Sequence, residues 1–501
     1  MGKPPNHLTR QAAVELPTFA PVMRFDNTYL TLPESLFRRQ VPASVRSPRL
    51  VLFNDTLAKE LGVESDARTD VEWASLLSGN TLPPGSEPIA QAYAGHQFGH
   101  FNMLGDGRAI LLGELLGLDG RRSDLQLKGS GRTPFSRRGD GRATLSSMLR
   151  EYLVSEAMHH LGIPTSRSLA VVATGESVYR ERTHEGAVLT RVASSHIRVG
   201  TFEYARSFGS SVELSALADH AIGRHYPALR DEEDRAFRFF EAVMDRQIDL
   251  VVHWMRVGFI HGVMNTDNMS VSGETIDYGP CAFMNTYRPD TVFSSIDTQG
   301  RYAYANQPRI AQWNLAVLAG ALLPLIPGPE EQAIQRLEAL LETFPGRYLE
   351  RWLRMMGRKM GILSWRPEDR PLVDGLLPWM SETAADWTLT FQALGAEDPA
   401  AALFGACQGA PEWFTAWRDR IEGQPGGPGA AKEVMSDQNP AFIPRNHLVE
   451  QALEEAVEGD LASFRKLLER LSRPYAAAAD DPVFAAVPPG FDGMYRTFCG
   501  T

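Results

Sequence analysis

The sequence predicts an α+β fold in two lobes, a β-rich N-terminal lobe and a helical C-terminal lobe, with additional helices toward the C-terminus. Three observations carry that prediction. Between Ala109 and Arg191, apolar and polar residues alternate in short stretches at the period of strands, interrupted by one helical stripe. A long amphipathic helix follows from Glu232 to Val257, with Phe237, Phe240, Met244, Ile248, Val251 and Met255 along one side. That helix runs straight into His261-Gly262-Val263-Met264-Asn265-Thr266-Asp267-Asn268, with Asp277-Tyr278-Gly279 nine residues beyond.

At 501 residues and 43% hydrophobic content, the chain can bury a large core spread over two or more lobes. The expected division is an N-terminal extension packed on the first lobe (1–90), the β-rich lobe (91–205), the helical lobe with the loop (206–330), and a helical C-terminal region and tail (331–501). A net charge of −11 argues against nonspecific nucleic-acid binding as the main activity. The three cysteines, Cys281, Cys407 and Cys499, form no C-x-x-C pair, which points to a reducing compartment and away from structural zinc or a disulfide framework. The N-terminus shows no basic-then-apolar signal pattern. The longest apolar run, Leu315 to Leu323, contains Gly320, is stopped by Pro324 and is too short to span a bilayer. A cytoplasmic monomer with neither membrane nor nucleic-acid partner is the expectation.

Residues 1–90 mix prolines, polar turns and short apolar pieces such as Leu50-Val51-Leu52-Phe53, and no chemistry is legible in them. In Tyr93-Ala94-Gly95-His96-Gln97-Phe98-Gly99-His100 the two histidines could share a helix face, but Gly95 and Gly99 argue against a helix; structural histidines are expected, not metal ligands. Gly105 and Gly107 precede the apolar Ala109-Ile110-Leu111-Leu112 and permit a tight turn with close approach to a phosphate, although an ordinary hairpin turn would use the same residues. Ser123 to Lys128 alternates as a strand and delivers Lys128 at its end; Gly129-Ser130-Gly131 breaks it, and Asp140-Gly141 marks another turn. Leu145, Met148, Leu149, Tyr152, Leu153 and Ala157 then form a helical stripe, with Thr144 as N-cap, Gly162 and Pro164 as the stop, and Glu151 beside the stripe. Leu169–Thr174, Ser177–Arg180 and Ala187–Arg191 read as strands of a continuing antiparallel sheet. Arg191 and Arg198 lie seven apart; on a helix they would share a face and could clamp a polyphosphate, the alternative being two surface arginines.

Met269 to Ile276 reads as a small β-hairpin turning at Gly273-Glu274, which would bring the Asn268 amide and the Asp277 carboxylate side by side. Hard oxygens of this kind suit Mg²⁺ or Mn²⁺ held on nucleotide phosphates. Protein-kinase-like folds build their metal site from such an Asn and the Asp of a DFG-type triplet, and fix a strand lysine with a helix glutamate, the pattern of Lys128 and Glu151. One position departs. Kinase-like phosphotransferases read His-Gly-Asp or His-Arg-Asp, and that Asp orients the attacking hydroxyl; here Val263 stands in its place and accepts no proton. The nearest carboxylate is Asp267, four residues on. No strand-linked G-x-G-x-x-G speaks for a Rossmann fold. Beyond residue 305 the chain reads as helical, with Ile334, Leu337, Leu341 and Phe344 as one stripe, a flexible loop at Gly423–Gly429, a helical region near Leu448–Leu471 and a short tail.

Taken together, the chain resembles the selenoprotein O (SelO, YdiU-type) family of pseudokinases over nearly its full length. The resemblance rests on His96-Gln97-Phe98-Gly99-His100, Leu104-Gly105-Asp106-Gly107-Arg108, Gln126-Leu127-Lys128-Gly129-Ser130-Gly131, His261 to Asn268, Asp277-Tyr278-Gly279-Pro280 and Asn439-Pro440. It implies a protein-kinase-like fold that binds ATP in a flipped orientation and transfers AMP, not phosphate, to Ser, Thr or Tyr hydroxyls of proteins. On matching positions it implies that Glu151 holds Lys128 on a phosphate and that Arg191 and Arg198 hold the terminal phosphates. Gly105, Gly107, Arg108, Asp140 and Gly141 would line the nucleotide, Asn268 and Asp277 would carry Mg²⁺ or Mn²⁺, and Asp267 would be the proton acceptor. A flipped nucleotide exposes its α-phosphate, so the base sits elsewhere than at Val263. Family members carry cysteine or selenocysteine third from the end, as Cys499 is here; some pair it with a cysteine where this chain has Phe293-Ser294-Ser295, which leaves a Cys281–Cys499 latch as the redox alternative. UMP transfer from UTP, a conventional kinase and a non-catalytic nucleotide-binding scaffold are the competing functions; Val263 weakens the kinase, and the lysine, metal pair and Asp267 weaken the scaffold.

Overall fold

Apolar–polar alternation in the first half of the chain becomes an antiparallel sheet. The computed structural model describes residues 23–498 apart from 65, 67, 406–409, 478–480, 489 and 492–494. In chain order the strands are β1 (Phe37–Arg39), β2 (Arg49–Phe53), β3 (Ile89–Gln91), β4 (Ala94–Gln97), β5 (His100–Met103), β6 (Ala109–Leu116), β7 (Arg122–Lys128), β8 (Ala143–Thr144), β9 (Arg167–Tyr179) and β10 (Thr183–Ala193). The main sheet runs β1-β3-β6-β7-β10-β9-β2, with β8 added on β10, and its neighbours pair antiparallel. Three short pieces before residue 92 therefore belong to this sheet. The stretches 169–174 and 177–180 are one long strand, β9, whose pairing with β10 slips at Glu185/Ala187.

Helices cover both faces. Helices α1 (Asp55–Glu60) and α2 (Asp70–Ser78) bury Leu57, Trp73, Leu76 and Leu77 against Leu125, Leu127, Leu169 and Val188. The opposite face receives α3 (Leu145–His160), begun where Thr144 accepts the Ser147 N–H, as its capping chemistry predicts. The two helices of residues 448–471, Asn446–Val457 and Ala462–Leu471, pack onto α3 rather than onto the helical half, with Val449, Leu453, Phe464 and Leu467 in one cluster with Leu149 and Leu153.

The helical half contains α4 (Val199–Phe208), α5 (Ser211–His225), α6 (Arg235–Val257) and α7 (Gln307–Leu322), with further helices from Glu330 to Leu471. Helix α6 starts three residues later than its sequence pattern and buries Phe240, Met244, Ile248, Val251 and Met255, while Phe237 sits at its edge under Arg336. Two expectations fail here. Residues 269–276 form no hairpin: Ser270 bridges to Arg198 and Thr275 to Thr165, because two-residue arms pair less well with each other than with neighbouring chain. The stretch 423–429 is no flexible loop either; a helix, Gly427–Gln438, begins inside it with Pro428 in its first turn.

Near the C-terminus, Thr497 lies alongside Ser294, donating its N–H to Phe293 O at 2.8 Å and accepting from Ser295 N at 2.9 Å. Cys281 is fully buried, and the proposed latch partner Cys499 lies outside the described residues. Among the described residues, no helix is long and apolar enough to cross a membrane.

Candidate active site

Strand β7 is buried on both sides, and its period of two separates its chemistry. Leu125 and Leu127 enter the apolar core under α2, while Asp124, Gln126 and Lys128 share the other face. Lys128 Nζ reaches Glu151 Oε2 of α3 at 2.6 Å and Asp277 Oδ1 at 3.0 Å. Arg191, paired in register with Gln126, accompanies it: its Nη1 lies 2.5 Å from Asp277 Oδ1 and 3.3 Å from Glu151, and its Nε donates to Gln126 Oε1 at 3.1 Å.

Arg191 and Arg198 do come together, but not on a helix. Arg191 ends on β10, and Arg198 is the residue before α4, so a strand end and a helix start aim both guanidiniums at one carboxylate. Arg198 Nη1 donates to Asp277 Oδ2 at 2.7 Å and to the Asp267 carbonyl at 2.6 Å, with its guanidinium 4.6 Å over the Tyr93 ring. Burial pushes the Asp277 carboxyl up, but Arg191, Lys128 and Arg198 together outweigh it and hold it well below the usual carboxylate range. Asp277 sits at φ +60°, a left-handed conformation that Asp tolerates better than most residues, and its carbonyl accepts Gly279 N–H at 2.8 Å.

The loop after α6 is held from below. His261 is buried and its pKa lowered, so the neutral ring donates from Nε2 to Ile276 O at 3.0 Å and accepts Val263 N–H at Nδ1. Asn268 donates from Nδ2 to Val263 O at 3.0 Å, which leaves its amide oxygen as an acceptor or metal ligand. Asp267 is 8% exposed, and its Oδ1 has no hydrogen-bond partner among the described residues. Desolvation, reinforced by Asp277 and Glu203 and opposed by Arg198, raises its pKa to about 6. Gly95 of β4 lies directly against this carboxylate; a Cβ there would stand 2.4 Å from Asp267 Oδ1, so any larger residue displaces the acid.

The glycine turn is close-packed against protein. Gly105 has φ +120°, and a Cβ on it would meet Phe135 at 2.4 Å; Thr133 Oγ1 donates to Asp106 O at 2.6 Å and Ser136 Oγ to Gly107 O. Arg108 adjoins the cluster through its backbone, its carbonyl accepting Gly129 N–H at 2.7 Å beside the Ala109–Lys128 pair. Gly141 is pressed onto Gly131, whose N–H donates to its carbonyl at 3.0 Å. Asp140 turns outward to Arg180, at 2.8 and 3.0 Å, and is not drawn into the Lys128 cluster.

Three members of the site were not singled out from the sequence. Asp106, 2% exposed, accepts from Gln91 N and Gln126 Nε2, and desolvation raises its pKa to about 6 against the pull of Arg198. Gln126 joins Asp106 to Arg191; its i, i+2 relation to Lys128 was the available signal. Glu203 of α4, its pKa raised by burial, meets His96 Nδ1, while His96 N donates to Thr266 Oγ1 at 2.7 Å. His96 and His100 lie on the strands of the β4–β5 hairpin, His96 opposite Phe101.

Among the described residues, no group of three or more His, Cys, Asp or Glu side chains could hold a metal alone. Asn268 and Asp277 supply hard oxygens of the kind that Mg²⁺ and Mn²⁺ take alongside phosphates and water. Both Asp277 oxygens are engaged here, Oδ1 by Lys128 and Arg191 and Oδ2 by Arg198, so an ion would have to displace part of that cluster. The inner cluster sets the cations Lys128, Arg191 and Arg198 against the carboxylates Glu151 and Asp277, next to a buried acid near neutrality.

That is the chemistry of an enzyme handling an anionic substrate, and comparison with known proteins agrees. A family model described as "Protein adenylyltransferase SelO" matches residues 22–472, and the chain belongs to this family. A Brevibacillus brevis protein named "Protein nucleotidyltransferase YdiU" is 54% identical over 487 residues, 97% of this chain and 99% of its own length. Proteins of the same name from Geobacillus kaustophilus (53% over 480 residues; 95% and 99%) and Methylorubrum populi (53% over 492 residues; 95% and 99%) are similar along nearly their whole lengths. The chain is accordingly an enzyme of the nucleotidyltransferase class.

Proposed function

We propose that this enzyme is a protein adenylyltransferase of kinase-like, two-lobed build, which moves AMP from flipped ATP onto Ser, Thr or Tyr hydroxyls of proteins. One observation carries the reading: the buried carboxylate of Asp267, with its Oδ1 free of hydrogen-bond partners among the described residues, lies beside a cationic cluster while Val263 occupies the usual kinase base position. In the proposed reaction the acceptor oxygen attacks the α-phosphorus, its proton passes to Asp267, the bond to the β-phosphate oxygen breaks and pyrophosphate leaves. Lys128, Arg191 and Arg198 face the charge that develops on the leaving group, already oriented by Glu151 and Gln126 and so needing little reorganisation. An acid titrating near 6 is largely ionised at neutral pH yet basic enough to take a proton, the balance a general base needs. Asn268 and Asp277 would hold a divalent ion, whose contribution is to neutralise phosphate charge.

Parallel incubations with α- and γ-labelled ATP test this. Protein-bound label from the α-phosphate alone, abolished by chelator and restored by Mg²⁺ or Mn²⁺, is the expected outcome. Label from the γ-phosphate alone makes the chain a kinase and ends the proposal. The relatives' name leaves the nucleotide open, so α-labelled UTP in competition with ATP decides between AMP and UMP.

A further inference from the structure

A cavity of about 510 Å³ opens between the end of the β4–β5 hairpin, the loop 296–301 and α7. It is tied to the catalytic loop through one side chain. Asn265 Oδ1, two residues before Asp267, accepts from Phe98 N at 3.2 Å and from Tyr302 Oη at 2.6 Å, and Phe98 lines the cavity.

The charge in this cavity is unusual for the molecule. Arg301 and Arg309 both line it, and neither pairs with a carboxylate among the described residues, in a chain whose acidic residues outnumber its basic ones by 61 to 50. Arg301 lies 5.0 Å over Trp313 and its Nε, buried, has no hydrogen-bond partner. The one acid in the lining, Asp297, is 5% exposed and spends its two oxygens on the backbone N–H groups of Arg301 (2.9 Å) and Tyr302 (2.8 Å). The lining thus carries two cations against one carboxylate, and that carboxylate is bound to backbone N–H groups and makes no ion pair with either guanidinium. Around it the surface is apolar: Ile296 is 46% exposed, and Phe101 (44%) and Phe208 (51%) stack on each other beside His96.

We infer that this cavity docks an acidic segment of the protein that receives the nucleotide, with carboxylates on Arg301 and Arg309 and an apolar neighbour on Ile296 and Phe101. The inference rests on the adenylyltransferase reading and adds to it the class of acceptor. Carboxylates supply what the two guanidiniums lack, and the Phe98–Asn265 contact puts the cavity next to the loop that carries Asp267. The Arg301 guanidinium, over Trp313, is oriented in advance, so less freedom is lost when a carboxylate binds it.

Two synthetic peptides, each with one tyrosine, one flanked by glutamates and the other by lysines, test it by fluorescence anisotropy without nucleotide. The acidic peptide should bind, more weakly as salt is raised, and the lysine peptide should not. Arg309→Glu alone changes an exposed residue and is the safe variant; with Arg301→Glu added, affinity for the acidic peptide should fall roughly tenfold or more, while the lysine peptide gains. ATP affinity, unchanged in both variants, serves as the fold check. Equal binding of both peptides by the parent, or a preference that survives reversal of Arg309, overturns the inference. So does a loss of ATP affinity with peptide preference intact, which assigns the cavity to the nucleotide. If the acidic peptide binds as described but no hydroxyl ever acquires α-label, the reaction is wrong and the docking stands.

Discussion

Two groups of arginines lie near the catalytic loop, one in the Asp277 cluster and one at the cavity, and they are used in opposite ways. Arg191 and Arg198 are 2% and 3% exposed and close on Asp277, with Glu151 and Gln126 completing the contacts of Arg191. Arg301 and Arg309 open onto a cavity and, among the described residues, make no ion pair with a carboxylate. In the inner group, burial has removed water, and every charge must be answered by protein, so the geometry is fixed before a substrate arrives. In the outer group the answering charge is left to a partner. A guanidinium is thus a fixed part of a reaction centre or a recruiting surface according to what its neighbours already supply.

Removing the carboxylate on which the inner group closes breaks that contrast most severely. Asp277→Ala should bring transfer to background, and ATP affinity, measured by calorimetry, should no longer respond to Mg²⁺ or Mn²⁺. Any metal-stimulated transfer in this variant shows that the ion is held elsewhere.

Asp267→Asn comes next. Transfer should fall by about 10²–10⁴-fold with ATP affinity retained, the range for loss of a general base. The same change should raise stability. The folded pKa of Asp267, about 6, lies above the ordinary carboxylate value, so its contribution to stability is full at low pH and is lost as pH rises through 6. At neutral pH the ionised acid costs on the order of 2–3 kcal/mol, which an amide avoids. A higher melting midpoint with lower activity is therefore expected at pH 7.5, and a lower midpoint excludes a strained base. In the parent, the rate under saturating substrate should climb tenfold per pH unit below about 6 and level off above it; a profile flat from pH 5 to 8 removes Asp267 from the proton path.

Lys128→Ala should cost roughly 10²–10³-fold in transfer, as for one preorganised charge-stabilising group. The smallest effects compare the two arginine groups directly. Arg191→Ala leaves Glu151 with Lys128, and Asp277 with Lys128 and Arg198, but it removes one cation from the cluster and the donor to the buried Gln126 Oε1. It should destabilise the fold by about 1–3 kcal/mol in urea titration, whereas Arg309→Ala should stay within about 0.5 kcal/mol. Equal losses would mean that the outer arginines are structural too.

Much of the frame was readable in advance where local rules decide it. The alternation that ends in Lys128 became β7, and Thr144 capped α3 where expected, because strand period and cap chemistry act over a few residues. The three early strands were not readable: β1 and β2 are short, and β2 finds its partner in β9, more than a hundred residues on. The hairpin expected at 269–276 failed for a related reason, since its arms had better partners at Arg198 and Thr165. Asp106, between two glycines, lay in a stretch that read either as a phosphate-approaching turn or as an ordinary one; only burial, acting against Arg198, raises its pKa to about 6.

The site divides along the same line. Residue type and local period were enough to put a lysine at a strand end, a glutamate on the next helix and an Asn–Asp pair after a long helix. Which charges meet was decided by tertiary structure: Lys128 lies 23 residues from Glu151 and 149 from Asp277, and Arg191 lies 86 from Asp277. Arginine spacing suggested a shared helix face, yet a strand end and a helix start made the clamp. Local propensity acts through neighbours along the chain, whereas a buried ion pair depends on distance and desolvation, and both are set only when remote segments pack.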